Sequence, residues 1–243
     1  MATRPTALIT GASSGIGLAV STKISQGGWS VVLVGRSQER LDAAHAELRL
    51  AGAPIERIHC VASDIGRTGE AGRCVRETMA RHGRIDAVVN NAGTGRIVPI
   101  PDTTDDLLHD TFAPNVFGPA MLIAHAWNHL RSAAAETGRA TIVNVSSMAS
   151  IDPFPGFFVY AATKSALDSL TRSAAKEGAE FGIRAFSVNP GAVETPLLRT
   201  IVDESALPRS RTLAPADVAK VVVQCIEGAR DAECGRVIAL PSP

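Results

Sequence analysis

The chain has 243 residues, of which 45% are hydrophobic and 20% charged, a composition that is typical of a compact globular protein and excludes a disordered or fibrous one. Its 24 basic and 24 acidic residues balance, so no net charge favours nucleic acid or an anionic membrane as a partner. No apolar run approaches the roughly 18 residues of a membrane span, and the first residues lack a signal-peptide pattern, so we expect a cytoplasmic protein that binds a small molecule.

Short β-branched runs alternate along the chain with longer segments of helical periodicity. Strands are predicted at 7–10, 30–35, 57–62, 87–90, 141–146, 184–189 and 236–240. Helices are predicted near 15–26, 37–51, 69–82, 115–136, 160–181 and 215–229. This alternation is typical of βαβ units and predicts an α/β fold: one doubly wound, Rossmann-type domain over 1–243, with a seven-stranded parallel sheet in three α/β/α layers. The irregular stretch 190–213, rich in Pro, Thr and Arg, is predicted to be a substrate lid.

The first predicted strand leads into the motif TGASSGIG at 10–17 and then into a helix. A glycine-rich turn in this context can place backbone N–H groups and a helix N-terminus against a pyrophosphate. Gly11 would allow the tight turn, Gly15 the approach of the phosphate, and Gly17 the packing of the helix on the sheet. Taken alone, the motif also fits a tight strand-to-helix turn without a ligand.

The end of the second predicted strand distinguishes NAD from NADP. An NAD-binding unit presents Asp or Glu to the ribose about 20 residues after the glycine-rich turn, whereas this strand ends in Gly35 and Arg36. A guanidinium pairs with a 2′-phosphate that a carboxylate would repel. NADP(H) is therefore the expected cofactor and NAD(H) the second choice, with a solvated Arg36 as the alternative interpretation.

Neither the cysteines nor the histidines predict a metal site. His125 and His129 lie one helical turn apart, but no third ligand accompanies them. Reduced thiols are expected because no CxxC pair or ligand-like spacing links the four cysteines, Cys60, Cys74, Cys225 and Cys234.

Tyr160 and Lys164 are four residues apart on a predicted helix, so their side chains project from one face. A neighbouring ammonium and the nicotinamide charge would favour the phenolate and lower the pKa of Tyr160. Tyr160 is the single tyrosine in the chain and is predicted to act as general acid in reduction and base in oxidation. Taken alone, the pair is also compatible with a purely structural role, in which a lysine satisfies a half-buried tyrosine on an amphipathic helix. Ser147 is placed to hydrogen-bond a carbonyl oxygen, with Ser146 as the competing candidate.

In these motifs and their order, the chain resembles the short-chain dehydrogenase/reductase family over nearly its whole length. The matching features are TGASSGIG at 10–17, Asp64, NNAG at 90–93, Asn115, Ser147, Tyr160 with Lys164, and PGAVET at 190–195. The resemblance selects Ser147 over Ser146 and implies a catalytic set of Asn115, Ser147, Tyr160 and Lys164. Asn115 would complete a proton relay through water, although alone it would be interpreted as a helix cap.

The resemblance also implies how the cofactor is held. Asp64 and Ile65 would flank the adenine, Asn91 to Gly93 would line the cleft, and Val193 and Thr195 would hold the carboxamide. The full expected set is Gly11, Ser13, Ser14, Gly15, Ile16, Gly17, Arg36, Asp64, Ile65, Asn91, Ala92, Gly93, Tyr160, Lys164, Pro190, Gly191, Val193 and Thr195. Ser14 stands where many NADP-preferring relatives carry a basic residue, so the NADP(H) prediction rests mainly on Arg36.

The predicted activity is hydride transfer between NADP(H) and a carbonyl or secondary alcohol, with an NADPH-dependent ketone or aldehyde reductase as the first hypothesis. An NAD(P)+-dependent alcohol dehydrogenase and a dinucleotide sensor without turnover are the alternatives. Four apolar side chains favour an apolar or aromatic substrate, or else pack between subunits: Ile151, Phe154, Phe157 and Phe158. The resemblance implies a homodimer or homotetramer formed through the helices near 115–136 and 160–181.

Overall fold

The computed structural model describes residues 4–243. Within them, seven parallel strands form one sheet in the order β3-β2-β1-β4-β5-β6-β7. The strands are β1 (Thr6–Thr10), β2 (Ser30–Gly35), β3 (Ile58–Ala62), β4 (Ala87–Asn90), β5 (Ala140–Val145), β6 (Ile183–Pro190) and β7 (Val237–Leu240). The predicted seven-stranded, doubly wound parallel sheet in a single domain is confirmed, and every strand lies within one residue of its predicted bounds.

The strands alternate with helices. The described residues form α1 (Gly15–Gln26), α2 (Gln38–Leu50), α3 (Glu70–His82), α4 (Asp105–Phe112), α5 (Gly118–Thr137), α6 (Phe158–Gly178), α7 (Pro196–Ile201) and α8 (Pro215–Glu227). Local chemistry explains several of the starts. The Ser37 side chain caps α2 by accepting the Arg40 N–H at 3.3 Å, and Pro215 occupies the first turn of α8, where its missing N–H is not needed.

Helices cover both faces of the sheet and bury a core on each. On one face α1, α2 and α8 pack against residues such as Ile9 and Phe186, both fully buried. On the other face α3, α5 and α6 pack against residues such as Leu8 and Ile142. Because both faces are covered, the strands are continuous apolar runs instead of alternating ones. The three-layer arrangement is therefore also confirmed.

Two predicted segments differ from the structure in part. The helix predicted near 115–136 is present as α5, but Ala113–Phe117 forms a π-helical turn before it. The preceding α4 was not predicted; Thr104 caps it by accepting the Leu107 N–H at 3.2 Å. Asn115 lies inside the π-helical turn and is fully buried, so the alternative interpretation of it as a helix cap was wrong. The irregular stretch 190–213 contains the short helix α7, whose N-cap Thr195 accepts the Leu198 N–H at 3.1 Å.

The sheet topology fixes where a ligand can bind. The order of strands reverses between β1 and β4, and open α/β sheets bind ligands at such a reversal, outside the carboxyl ends of the strands. The motifs at 10–17 and 90–93 follow these two strands.

All four cysteines are free thiols, as expected. Of the helices described, none has the length and apolar character that crossing a membrane requires.

Candidate active site

The glycine-rich turn at 10–17, the cradle, packs so closely that side chains at its glycines would clash with neighbouring atoms. Gly11 and Gly15 adopt left-handed backbone conformations, with φ of 63° and 54°, which glycine adopts without strain. A Cβ on Gly17 would lie 2.3 Å from the Gly11 carbonyl oxygen. The Ser14 side chain makes no capping hydrogen bond, and no acidic residue occupies the first turn of α1. Unpaired N–H groups at an uncapped helix N-terminus, without a nearby carboxylate, fit the pyrophosphate of a dinucleotide.

Asn91 and Thr10 join the two neighbouring motifs. The Asn91 amide nitrogen donates to the carbonyl oxygens of Thr10 at 3.0 Å and Gly11 at 3.2 Å. The Thr10 hydroxyl accepts the backbone N–H groups of Asn91 at 3.1 Å and Ala92 at 3.0 Å. Thr10 was missed by the sequence interpretation, although a hydroxyl at the last position of a strand before a glycine was visible there. These bonds hold the 90–93 turn against the cradle.

Arg36 lies at the rim of a cavity of about 510 Å³ beside the carboxyl ends of β2 and β3. The cavity is lined by Arg36, Ala62, Ser63, Asp64, Arg67, Thr68 and Glu70. The expected Asp64 is therefore present. Ile65 instead packs in the core, so its side chain does not line this cavity. Arg67 brings a second cation that the sequence interpretation missed, because only the fold brings the loop after β3 next to the end of β2.

One of the two carboxylates that line this cavity, Glu70, is already compensated. Glu70 accepts from Arg73 Nη2 at 2.6 Å and from Ser63 Oγ at 2.8 Å. Arg73, followed by Ser63, lowers the pKa of Glu70 to about 2. Arg36 and Arg67 are both exposed. A phosphate entering the cavity thus meets two guanidinium groups, the Asp64 carboxylate, and a Glu70 carboxylate whose charge is compensated by Arg73.

Tyr160 and Lys164 occupy the first two turns of α6, on one face of the helix. The Lys164 ammonium lies 5.6 Å from the centre of the Tyr160 ring and donates to the Val145 carbonyl oxygen at 2.9 Å. Ser147, just after β5, lies near enough to the Tyr160 phenol to lower its pKa. The structure thus brings together the serine, tyrosine and lysine that the sequence singled out.

Burial dominates the protonation of this cluster. It raises the pKa of the Tyr160 phenol, and the nearby Ser147 only opposes this effect. The lowering expected from the neighbouring ammonium is therefore not found in the chain itself, where Lys164 points to a backbone carbonyl. Burial also lowers the pKa of Lys164 to about 8, against an opposing effect of the Asp168 carboxylate.

The two neighbouring serines have different surroundings. Ser146 is buried, and its hydroxyl donates to the Lys164 carbonyl oxygen at 3.1 Å. Ser147 accepts the Ala149 N–H at 3.1 Å and contacts the phenol. Ser146 therefore anchors α6 to β5, while Ser147 lies beside the phenol.

Asn115 is held beside Lys164 by three hydrogen bonds. Its Oδ1 accepts the Thr94 N–H at 2.8 Å, and its Nδ2 donates to the Thr94 carbonyl oxygen at 2.8 Å and to the Thr163 hydroxyl at 3.0 Å. A Cβ on Gly93 would lie 3.1 Å from Asn115 Oδ1 and 3.7 Å from Lys164 Nζ. The π-helical turn, a distortion frequent at functional sites, places this amide. Thr163 was missed because its contact depends on that turn.

The segment 190–195 lies beside the cradle. A Cβ on Gly15 would lie 2.9 Å from Thr195 Cγ2, while Val193 pairs with Leu213 in an isolated bridge. Pro190 ends β6 and Gly191 follows it. This bridge joins the two ends of the stretch 190–213, which lies at the carboxyl edge of the sheet.

Apolar side chains surround the tyrosine on the outer side. Phe154 is 72% exposed and Phe158 53%, and the Phe157 ring centre lies 5.2 Å from that of Tyr160. The Val98 N–H donates to the Gly156 carbonyl oxygen at 2.9 Å, which joins the loop after β4 to this segment. The further exposed apolar residues on these loops and on α7 are Ile97, Ile100, Ile151 and Leu197.

Arg199 and Glu194 form a polar cluster separate from that of Ser147, Tyr160 and Lys164. Arg199 on α7 pairs with Glu194 and donates to the Leu207 carbonyl oxygen at 2.8 Å, so its charge is compensated within the stretch. Between residues 4 and 243, no group of three or more His, Cys, Asp or Glu side chains is arranged to hold a metal ion.

A dinucleotide cradle at the strand-order reversal, with a serine, tyrosine and lysine beside it, defines a nicotinamide-dependent oxidoreductase. The chain belongs to the short-chain dehydrogenase family, whose model matches residues 5–206. It is 34% identical to a 2-(R)-hydroxypropyl-CoM dehydrogenase from Xanthobacter autotrophicus, over 86% of this chain and 82% of that one.

Solved structures show the same fold. A 3-ketoacyl-(acyl-carrier-protein) reductase from Brucella melitensis, complexed with NADH, superposes with a TM-score of 0.88 at 28% identity, over 98% of this chain and 96% of that one. An actinorhodin polyketide ketoreductase variant with NADPH gives 0.89 at 26% identity, with the same coverage. These neighbours support a nicotinamide dinucleotide as the cofactor, with both forms represented.

Proposed function

We propose that this oxidoreductase is an NADPH-dependent reductase of ketones or aldehydes, with Asn115, Ser147, Tyr160 and Lys164 as its catalytic residues. The observation that carries the proposal is the Tyr160 phenol, with Ser147 beside it and a buried Lys164 one helical turn later. This cluster lies at the carboxyl edge of the sheet, where the expected cofactor residues also gather.

The reaction follows from the positions of these side chains. NADPH, when bound, supplies the hydride that reaches the carbonyl carbon. Ser147 donates a hydrogen bond to the carbonyl oxygen as negative charge develops on it. Tyr160 transfers its phenolic proton to that oxygen, and the alcohol forms. Lys164 places a positive charge below the phenol and stabilises the tyrosinate that remains. Asn115 is proposed to relay a proton through water to this tyrosinate.

Burial raises the pKa of the Tyr160 phenol, so the residue holds the proton that a general acid donates in carbonyl reduction. Alcohol oxidation uses the same residues in reverse, with Tyr160 as general base. NAD(P)+-dependent alcohol oxidation is therefore the second candidate.

NADP(H) is proposed over NAD(H) because of the charges around the cavity beside β2 and β3. Arg36 and Arg67 both line it, while the Glu70 carboxylate is bound to Arg73. Two cations suit a 2′-phosphate, which carries more negative charge than a 2′-hydroxyl.

The substrate is proposed to be apolar or aromatic. Exposed apolar side chains grouped in one place mark binding surfaces, and those nearest Tyr160 belong to the segment Ile151 to Phe158. In this proposal the stretch 190–213 closes over the substrate as a lid.

We also predict a cytoplasmic homodimer or homotetramer. In it, two exposed side chains contact a second copy: Phe117 of the π-helical turn and Met121 of α5.

The proposal is tested by following NADPH oxidation with a panel of carbonyl compounds. Bulky aromatic ketones and aldehydes should be reduced, and hydrophilic sugars should be poor substrates. NADPH binding with no oxidation by any member of the panel would instead support a dinucleotide sensor. Equal use of sugars and aromatic ketones would contradict the apolar substrate site.

Replacing Ser147 by Ala should lower kcat by about 10²-fold, because one hydrogen bond to the developing oxyanion is lost. The binding of NADPH should not change, since Ser147 contacts the phenol and the substrate position. Steady-state kinetics and cofactor titration measure both effects.

Ser146→Ala is the matched control, one residue away. It removes the bond to the Lys164 carbonyl oxygen and should cost about 1 kcal/mol of unfolding free energy, with a smaller loss of kcat. A larger loss of kcat in Ser146→Ala than in Ser147→Ala would reverse the assignment.

A further inference from the structure

Three polar side chains lie on one line along α6. Tyr160, Lys164 and Asp168 are spaced by four residues, and side chains at this spacing lie one above another on a helix. Lys164 and Asp168 are each only 5% exposed. Burying a charged group is costly unless an opposite charge or hydrogen bonds compensate it.

Neutral groups on β6 hold the Asp168 carboxylate. Ser187 Oγ donates to Asp168 Oδ1 at 2.5 Å, and Asn189 Nδ2 lies 3.0 Å from Oδ2. The same Asn189 nitrogen lies 2.9 Å from Ser150 Oγ and 3.2 Å from the Ser147 carbonyl oxygen. Hydrogen bonds of this kind stabilise an ionised carboxylate without neutralising it.

Other charges near Lys164 are distant or exposed. The residues of β5, of the π-helical turn and of 148–150 include no charged side chain. Arg184 lies at the start of β6, opposite Thr141, whereas Lys164 contacts Val145 at the other end of β5. The charged residues of α4 and of the turn after α6 are all exposed: Asp105, Asp106, His109, Asp110 and Glu180. The remaining buried carboxylate in the described chain, Asp86, is paired with Arg84.

We propose that Asp168 is a positioning residue of the active site, whose buried carboxylate keeps Lys164 in its ammonium form below the Tyr160 phenol. Through Asn189, the same carboxylate fixes the backbone of Ser147. This inference rests on the roles proposed above for Tyr160 and Lys164. It extends the site by a third turn of α6 and by two residues of β6.

The titration of Lys164 can be followed without cofactor or substrate. The chain has one tyrosine, and its ring centre lies 5.6 Å from Lys164 Nζ, so the NMR signals of that ring report the ionisation of Lys164. A step should occur near the Lys164 pKa of about 8, and Lys164→Met should abolish it.

In Asp168→Asn the midpoint of this step should move to lower pH, because burial still disfavours the ammonium while the opposing carboxylate is gone. Ser187→Ala removes a hydrogen bond from the same carboxylate but keeps its charge, so its midpoint should stay at the wild-type value. An unchanged midpoint in folded Asp168→Asn, or equal shifts in both variants, would show that Asp168 has a packing role only.

If Asp168→Asn does not fold, the wild-type protein supplies the test. The NMR signal of the Asp168 carboxyl carbon should show a step at the same pH as the tyrosine ring, since the two charges interact. A signal without that step would overturn the proposal. Neither measurement depends on catalysis, so the positioning role and the reductase activity can fail separately.

Discussion

Tyr160→Phe should lower the rate of carbonyl reduction by about 10³-fold or more, since it removes the proton that the alkoxide oxygen receives. The phenylalanine ring keeps the contact with Phe157, whose ring centre lies 5.2 Å from that of Tyr160, so the fold and the affinity for NADPH should change little. Single-turnover NADPH oxidation measures the chemical step, and fluorescence titration measures cofactor affinity.

The two measurements separate chemistry from binding. Loss of NADPH binding in parallel with the loss of rate would assign Tyr160 to cofactor contacts instead of proton transfer. A rate within about tenfold of the wild type would contradict its role as general acid, because general acid catalysis typically contributes about 10²- to 10⁴-fold.

Arg36→Asp should weaken NADPH binding by about 10²-fold or more and leave NADH binding equal or tighter. The substitution replaces a cation at the cavity beside β2 and β3 with a charge that repels a 2′-phosphate and can accept from a 2′-hydroxyl. Parallel titrations with NADPH and NADH, at one ionic strength, give the ratio of the two dissociation constants.

Arg40→Asp is the matched control for this switch. Arg40 is exposed on α2, and its substitution changes the net charge by the same amount without altering the cavity lining. Its effect on the NADPH to NADH ratio should be small. Equal effects of the two substitutions would mean that overall charge, and not Arg36, decides the preference.

Local sequence patterns were enough to predict most of the fold. Parallel strands such as β2 are continuous apolar runs bounded by turn residues, so their limits are visible without tertiary information. The glycine-rich turn and the i, i+4 pair Tyr160 and Lys164 also depend only on nearby residues. Family spacing then distinguished Ser147 from Ser146, a choice that the residues alone left open.

Features that depend on contacts across the fold were not predictable in this way. The π-helical turn around Asn115 is stabilised by bonds to Thr94 and Thr163, which lie far away in sequence. Arg67 lies near Arg36 only because β3 pairs with β2. The higher pKa of Tyr160 depends on burial, which the sequence does not report.

The most direct test of the central claim is a single turnover with NADPH deuterated at nicotinamide C4 and a bulky aromatic ketone. Mass spectrometry of the product alcohol should find deuterium on the carbinol carbon with the wild-type protein, and almost none over the same interval with Tyr160→Phe. A protein that binds NADPH but transfers no deuterium to any ketone or aldehyde, or a Tyr160→Phe variant that transfers it at the wild-type rate, would contradict the proposed function.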